Sequence, residues 1–287
     1  MYVASPSALG ADRDTPGAVL GLLERRVTIG TIVALVALAV VAWALTAQQA
    51  IGMSDMVTGL ALVGSRMPNP MTPPVFMLMW LTMMVAMMFP TIAPMVLAHR
   101  LVALHHGDGA LPSVGFVLGY IVVWTAIGLV PLAVFLGFRD LPGDQPIVAW
   151  LPRISGVALL VAGLYQFTPW KRVCLRACRT PLSFMMTHNF GSGAPGALRA
   201  GLSHGAYCLG CCWALMTVLV VVGLMNLVWM ALLALIFLVE KNWRYGVVFN
   251  RVVGTAIAVL GCAVLINPDL LGIVSGATGA PDPSSGM

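Results

Sequence analysis

The stretch "HGAYCLGCCWALMTVLVVVGLM", residues 204–225, decides how this chain must be read. Its second half, from Ala214, is apolar except for Thr217 and Gly223, and suits lipid far better than water. Its first half sets His204, Cys208, Cys211 and Cys212 at the mouth of that apolar run. The rest of the 287 residues follows the same pattern, with 60% hydrophobic and only 9% charged residues and a mean hydropathy of +0.95. Soluble domains carry roughly 25% charge, so a globular protein of this composition would lack the polar surface to stay dissolved. In lipid every backbone polar group must be satisfied within the chain. Long apolar runs therefore predict an all-α fold, a polytopic helical membrane bundle.

A span needs about 20 mostly apolar residues. Seven candidates lie at Val27–Ala47, Val75–Ala98, Ser113–Phe138, Val148–Phe167, Ser203–Leu224, Leu227–Val239 and Val247–Ile266. The fourth carries Arg153 near its start, where a long side chain snorkels to the interface. The sixth is short and ends in the polar Glu240-Lys241-Asn242-Trp243. A six-span alternative folds the fifth and sixth runs into one re-entrant hairpin. The first run is longer than a signal-peptide core, and Leu45 in "ALTAQQ" spoils a small-x-small cleavage site, which favours an uncleaved anchor.

Twelve of the 15 Lys and Arg fall on one side of this layout. They are Arg13, Arg25, Arg26, Arg100, Lys171, Arg172, Arg176, Arg179, Arg199, Lys241, Arg244 and Arg251. Arg66, Arg139 and Arg153 fall on the other. The positive-inside rule then places the N-terminus in the cytoplasm and the C-terminus outside. The net charge of +5 reflects topology rather than nucleic-acid binding, although a basic loop also suits anionic lipid or a partner. The expected organisation is a polar N-terminal tail (1–26), a transmembrane bundle (27–266) and a disordered C-terminal tail (267–287). Residues 48–74 read as a Pro-rich outer loop and 169–202 as the main cytoplasmic loop. Gly115 and Gly119 form a GxxxG in the third run, the mark of close helix packing.

A helix turns about 100° per residue. On that wheel His204, Cys208, Cys211 and Cys212 share one face, stacked over two turns. Gly201, Gly205 and Gly210 beside them let another helix approach. The chain runs outward here, so the cluster is expected near the cytoplasmic surface, where thiols stay reduced. Thiolate and imidazole suit Cu(I) and Zn. Adjacent Cys211 and Cys212 share one ion only with distortion, so one of them with Cys208 and His204 makes the easier ligand set. The bland alternative is a group of small buried packing residues.

The second run, "PPVFMLMWLTMMVAMMFPTIAPMVLAHR", is rich in thioethers. Met77, Met84, Met88 and Met95 fall within about 20° of one line along a helix. Met83, Met87, Pro90 and Pro94 occupy a neighbouring face. Thioethers bind Cu(I) without deprotonation, though Met also serves simply as flexible packing.

Secondary candidates surround these. Cys174 and Cys178 stand at i, i+4 on an expected amphipathic helix within the cytoplasmic loop, whose Lys171, Arg172, Arg176 and Arg179 favour thiolate. A surface helix lying on anionic lipid is the alternative. Glu240 and Lys241 read either as an interfacial ion pair or as a carboxylate facing the thiols. His99, His105 and His106 cluster at the end of the second run and fit a solvated loop better than a delivery site. Cys262 reads as packing.

The runs "MWLTMMVAMMFPTIAPM" (79–95), "CLRACRTPLSF" (174–184), "HGAYCLGCCWALM" (204–216) and "MNLVWMALLALIFLVEK" (225–241), in that order, resemble a bacterial family of metal-binding integral membrane proteins, domain of unknown function 2182. The resemblance runs from about Pro74 to Ile266, and Cys-Leu-Gly-Cys-Cys-Trp is its most specific element. It implies a helical bundle in a bacterial cytoplasmic membrane that binds a metal, with some members described as copper chaperones. It points at Cys208, Cys211 and Cys212, at the Met-rich run, and at Glu240-Lys241.

The resulting expectation is Cu(I) handling, by transfer, chaperoning or transport, with zinc as the other metal the ligands suit. A cuproenzyme or a membrane complex is the expected partner. Two rivals stand beside it. Cys208-Leu-Gly-Cys211 is a CxxC, as in a membrane thiol–disulfide oxidoreductase, although such pairs usually work on the outer side. A non-catalytic membrane subunit or assembly factor is the second. Nothing suggests a hydrolytic triad, a phosphate loop or paired carboxylates, and catalysis on a polar substrate is not expected.

Overall fold

Proline starts many of the helices. In the computed structural model, which describes residues 16–52, 72–138, 146–187, 193–224 and 226–275, five helices begin on one. They are α1 (Pro16–Gly52), α2 (Pro73–His105), α4 (Pro146–Tyr165), α5 (Pro169–Arg179) and α6 (Pro181–Thr187). At the first helical position the missing N–H costs nothing, because it has no intrahelical partner there. The remaining elements are α3 (Leu111–Phe138), α7 (Gly193–Val222), α8 (Leu227–Asn242), α9 (Gly246–Ile266) and α10 (Leu270–Ser275). No strand occurs among the described residues, so the fold is all-α.

Five helices are long and apolar enough to cross a membrane: Glu24–Ile51, Pro73–His105, Leu111–Gly137, Gly193–Val222 and Gly246–Ile266. The fourth expected span is shorter, with an apolar helical core of Trp150–Tyr165, and α8 has 16 residues. The fifth and sixth runs are separate helices. Gly223 takes φ +113, a conformation that side chains disfavour, and ends α7. Asn226 then caps α8 by accepting from the Trp229 N–H at 3.2 Å.

Helices α2 and α7 form the centre, each burying 61% of its most apolar window, whereas α1 buries 17%. The GxxxG reading holds: a Cβ on Gly119 would strike the Leu198 carbonyl, and one on Gly201 the Phe116 carbonyl. The backbones of α3 and α7 are therefore nearly touching. Gly163 and Gly261 do the same for α4 and α9, against Ala258 and Leu160.

Within residues 169–202 the expected amphipathic helix is α5, and the same segment also holds α6 and the first turns of α7. The thiols consequently lie mid-helix: Cys208 follows Gly193 by 15 residues, about 22 Å of helix, rather than at a helix mouth. The C-terminal stretch 267–287 is not wholly disordered. Within it α10 packs back on α8, with Trp229 donating to the Val274 carbonyl at 2.9 Å and Asn226 to that of Ser275 at 3.2 Å. Residues 276–287 lie outside the described part, as do 53–71 of the expected outer loop and 1–15 of the N-terminal tail, whose residues from Pro16 are helical.

Candidate metal centre

The site starts from an amphipathic helix laid against a membrane-length one. In α5 the residues Lys171, Cys174, Leu175 and Cys178 recur at i, i+3, i+4 and i+7, one helical face. Lys171 and Leu175 are buried, while Arg172, Val173 and Arg176 are exposed. Thr168 caps the helix by accepting from the Lys171 N–H at 3.3 Å. The inner face lies on α7 where Gly210 removes a side chain, and a Cβ at that position would meet the Cys174 sulfur at 2.6 Å. The Tyr165 hydroxyl donates to the Gly210 carbonyl at 2.6 Å, tying α4 to the same spot.

This packing carries Cys178 onto the thiols of α7. The sulfurs of Cys178, Cys208 and Cys211 all lie within 4.8 Å of one another. Cys178 and Cys211 are 3.8 Å apart, and Cys211 and Cys212 are 3.4 Å apart. With metal–thiolate bonds of about 2.3 Å, three sulfurs around one ion stand roughly 4 Å from each other. The observed triangle needs little adjustment to hold one. Cys208, Cys211 and Cys212 are 0–1% exposed.

Cys208 is the electrostatic focus. Lys241 of α8 donates to its sulfur from 3.2 Å, and the Tyr120 hydroxyl lies 3.1 Å from it. The Lys241 ammonium also donates to Thr91 of α2 at 3.2 Å, and the Thr91 hydroxyl to the Met88 carbonyl at 2.8 Å. A buried ammonium at this distance offsets negative charge placed on the sulfur. Behind it lies a second, complete ion pair. Lys171 meets Glu240 at 2.9 Å, with both side chains almost wholly buried, and Lys171 also donates to the Gln166 side chain. Asn250 donates to the Gln166 carbonyl at 2.8 Å. Arg179 caps the end of α8 through the carbonyls of Glu240, Trp243 and Arg244.

Several sequence expectations are thereby redrawn. Glu240 and Lys241 are not partners of each other. Glu240 turns to Lys171 and away from the thiols, and the cation Lys241 is the residue that faces them. Cys178 belongs to the central triangle rather than to a secondary site. The basic residues of α5 do not lower its thiols: burial pushes the Cys174 thiol up, and its hydrogen bond with Cys208, then burial, pushes that of Cys178 up. His204 is absent from the triangle. Its imidazole packs among the rings of Phe116, Tyr120 and Phe184 at 5.8, 6.1 and 5.5 Å between centroids. Tyr120, Thr91, Lys171 and Gln166 carry no motif, and the sequence reading did not single out the first two or the last.

In α2, Met84, Met88 and Met95 are buried, but so are Met79, Met83 and Met87. Thioethers thus cover about half of the helix circumference, the expected stripe together with the neighbouring face. Met77 is half-buried, close to Gly128 of α3. Pro90 and Pro94 face outward. Cys262 is exposed on α9, away from the cluster.

A bundle of membrane-length helices with thiols from two different helices converging on one point defines a class: a helical membrane-type protein with a candidate thiol metal site. Within that class the profile of the copper chaperone family PpoB2 matches residues 77–264, from α2 to α9, and the chain belongs to that family. No curated protein and no solved structure matches it.

Proposed function

We propose that this protein is an integral membrane Cu(I)-handling protein that binds the ion at Cys178, Cys208 and Cys211 and passes it to a cuproenzyme or membrane-complex partner. The observation that carries the reading is the triangle of three sulfurs, within 4.8 Å, built from half-buried Cys178 of α5 and buried Cys208 and Cys211 of α7. Thiolates prefer soft Cu(I), and Lys241 offsets the anionic charge that two or three thiolates leave around a monovalent ion. Cys212, 3.4 Å from Cys211, supplies an alternative ligand for hand-over. Membership of a copper chaperone family supports copper over zinc as the cargo. The Met-rich α2, linked to the cluster through Thr91 and Lys241, supplies further soft donors; the family resemblance points to a bacterial cytoplasmic membrane, and the charge bias supports an N-terminus inside it.

Elemental analysis of detergent-purified protein loaded with Cu(I) under reducing conditions tests this. About one copper per chain is expected, falling at least tenfold in affinity in Cys208→Ser or Cys211→Ser. Copper binding that ignores both substitutions would place the site elsewhere. A redox-cycling disulfide in thiol-trapping experiments, with no bound copper, would instead indicate a thiol–disulfide oxidoreductase.

A further inference from the structure

Two imidazoles are buried without a hydrogen bond to their Nδ1 atoms. They belong to His99 of α2 and His204 of α7, whose side chains are 9% and 1% exposed. An unsatisfied buried polar atom costs free energy. If the positions served only for packing, an apolar side chain would serve better at both.

The two share a contact. The Phe116 ring of α3 lies 5.0 Å from the His99 ring and 5.8 Å from the His204 ring, inclined by 30° and 31°. On the inner side, His204 precedes Cys208 by one helical turn, about 6 Å along the axis. Tyr120 contacts the His204 ring at 6.1 Å, and its hydroxyl is 3.1 Å from the Cys208 sulfur. Toward the exposed end of α2, His99, buried Ala103 and exposed His106 recur at i, i+4 and i+7, one side of the helix. Nitrogen donors therefore stand at an exposed bundle end (His106), in the buried part of α2 (His99) and one turn from Cys208 (His204).

We propose that His99 and His204 form an imidazole relay by which Cu(I) travels from the His106 end of α2 to the thiol cluster, with Phe116 as the gate between the two rings. This rests on the reading of the thiols as a Cu(I) site. Neutral imidazole takes Cu(I) through a nitrogen lone pair without losing a proton. Cu(I) leaves one donor and binds the next as the side chains move, so every Cu–N bond that breaks is replaced by another Cu–N or Cu–S bond, and the ion remains Cu(I) throughout. Thiolate is the softer and anionic donor, so the ion moves downhill from nitrogen to sulfur.

The test separates rate from occupancy. Detergent-solubilised protein is mixed with a coloured Cu(I)–chelator complex, and both the loading rate and the final copper per chain are read. His99→Leu and His204→Leu, with His99→Gln and His204→Gln as milder versions, are expected to load at least tenfold more slowly yet reach the wild-type occupancy. Phe116→Leu is expected to load several-fold faster, which a damaged fold would not produce. Wild-type rates in both histidine variants overturn the relay. So does a lowered final occupancy, which would make the histidines resting ligands instead. Failure of the thiol reading looks different: the wild type then takes up no copper, or Cys208→Ser leaves occupancy unchanged, and the relay falls with it.

Discussion

Lys241 shows how much one side chain decides. Its ammonium lies 3.2 Å from the Cys208 sulfur in a place closed to water. Lys241→Met removes the only cation bonded to that thiol among the described residues. The expected result is Cu(I) affinity lowered at least tenfold with the helical content intact, read by chelator competition and circular dichroism. The neighbouring Glu240 behaves differently, because its partner is Lys171. Glu240→Gln leaves a buried ammonium unpaired, and breaking a buried pair in this way costs about 3–5 kcal/mol. Thermal unfolding in detergent should show that loss. The double variant Lys171→Met with Glu240→Leu should recover most of it, since apolar replacement of a whole buried pair is often neutral. A Glu240→Gln variant as stable as the wild type would rule out a structural role for the pair. The two positions are consecutive, and only the direction of each side chain separates structural from metal-site behaviour.

At the scale of elements, α5 acts as a cover that completes the site on α7. The Cys178 and Cys211 sulfurs are 3.8 Å apart, and a disulfide needs about 2.05 Å. A small closing movement joins them. Mild oxidation of the metal-free protein should therefore form a Cys178–Cys211 disulfide, seen by peptide mass mapping, and prior loading with Cu(I) should block it. Failure to crosslink would mean that α5 does not rest on α7. The contact of α3 with α7 depends on Gly119, where a Cβ would strike the Leu198 carbonyl. Gly119→Leu should separate the helices, withdraw Tyr120 from Cys208 and lower both the unfolding temperature and copper occupancy. The α5 face was legible in the sequence as a helix with two thiols at i, i+4. Its position was not, because an amphipathic helix lies equally well on lipid and on protein until a complementary groove exists. Gly210 makes that groove.

For the whole molecule, the charge bias makes a topological prediction. A reporter that is active only outside the cytoplasm should be inactive when fused at residue 109 and active when fused at residue 60. The opposite pattern would invert the bundle. Metal loading should also depend on acidity, because each thiolate ligand recovers its proton as pH falls. Copper bound at neutral pH should be released on acidification, with equilibrium dialysis as the measurement. The shape of the bundle explains why the thiols are sheltered. The small residues of α3 and α7 bring backbones together, and α2 and α8 close the remaining sides with Thr91 and Lys241.

The sequence by itself determined the helical class, the placement of the long apolar helices and the thiol-bearing face of α7. Each of these follows from local rules: run length against bilayer thickness, and a turn of about 100° per residue. Only the tertiary structure decided that Cys178 joins Cys208 and Cys211, that Lys241 rather than Glu240 faces them, and that His204 stands apart among aromatic rings. Those outcomes depend on which helix lies against which, and at what height. Such contacts join residues tens of positions apart, and no periodicity within one segment encodes them.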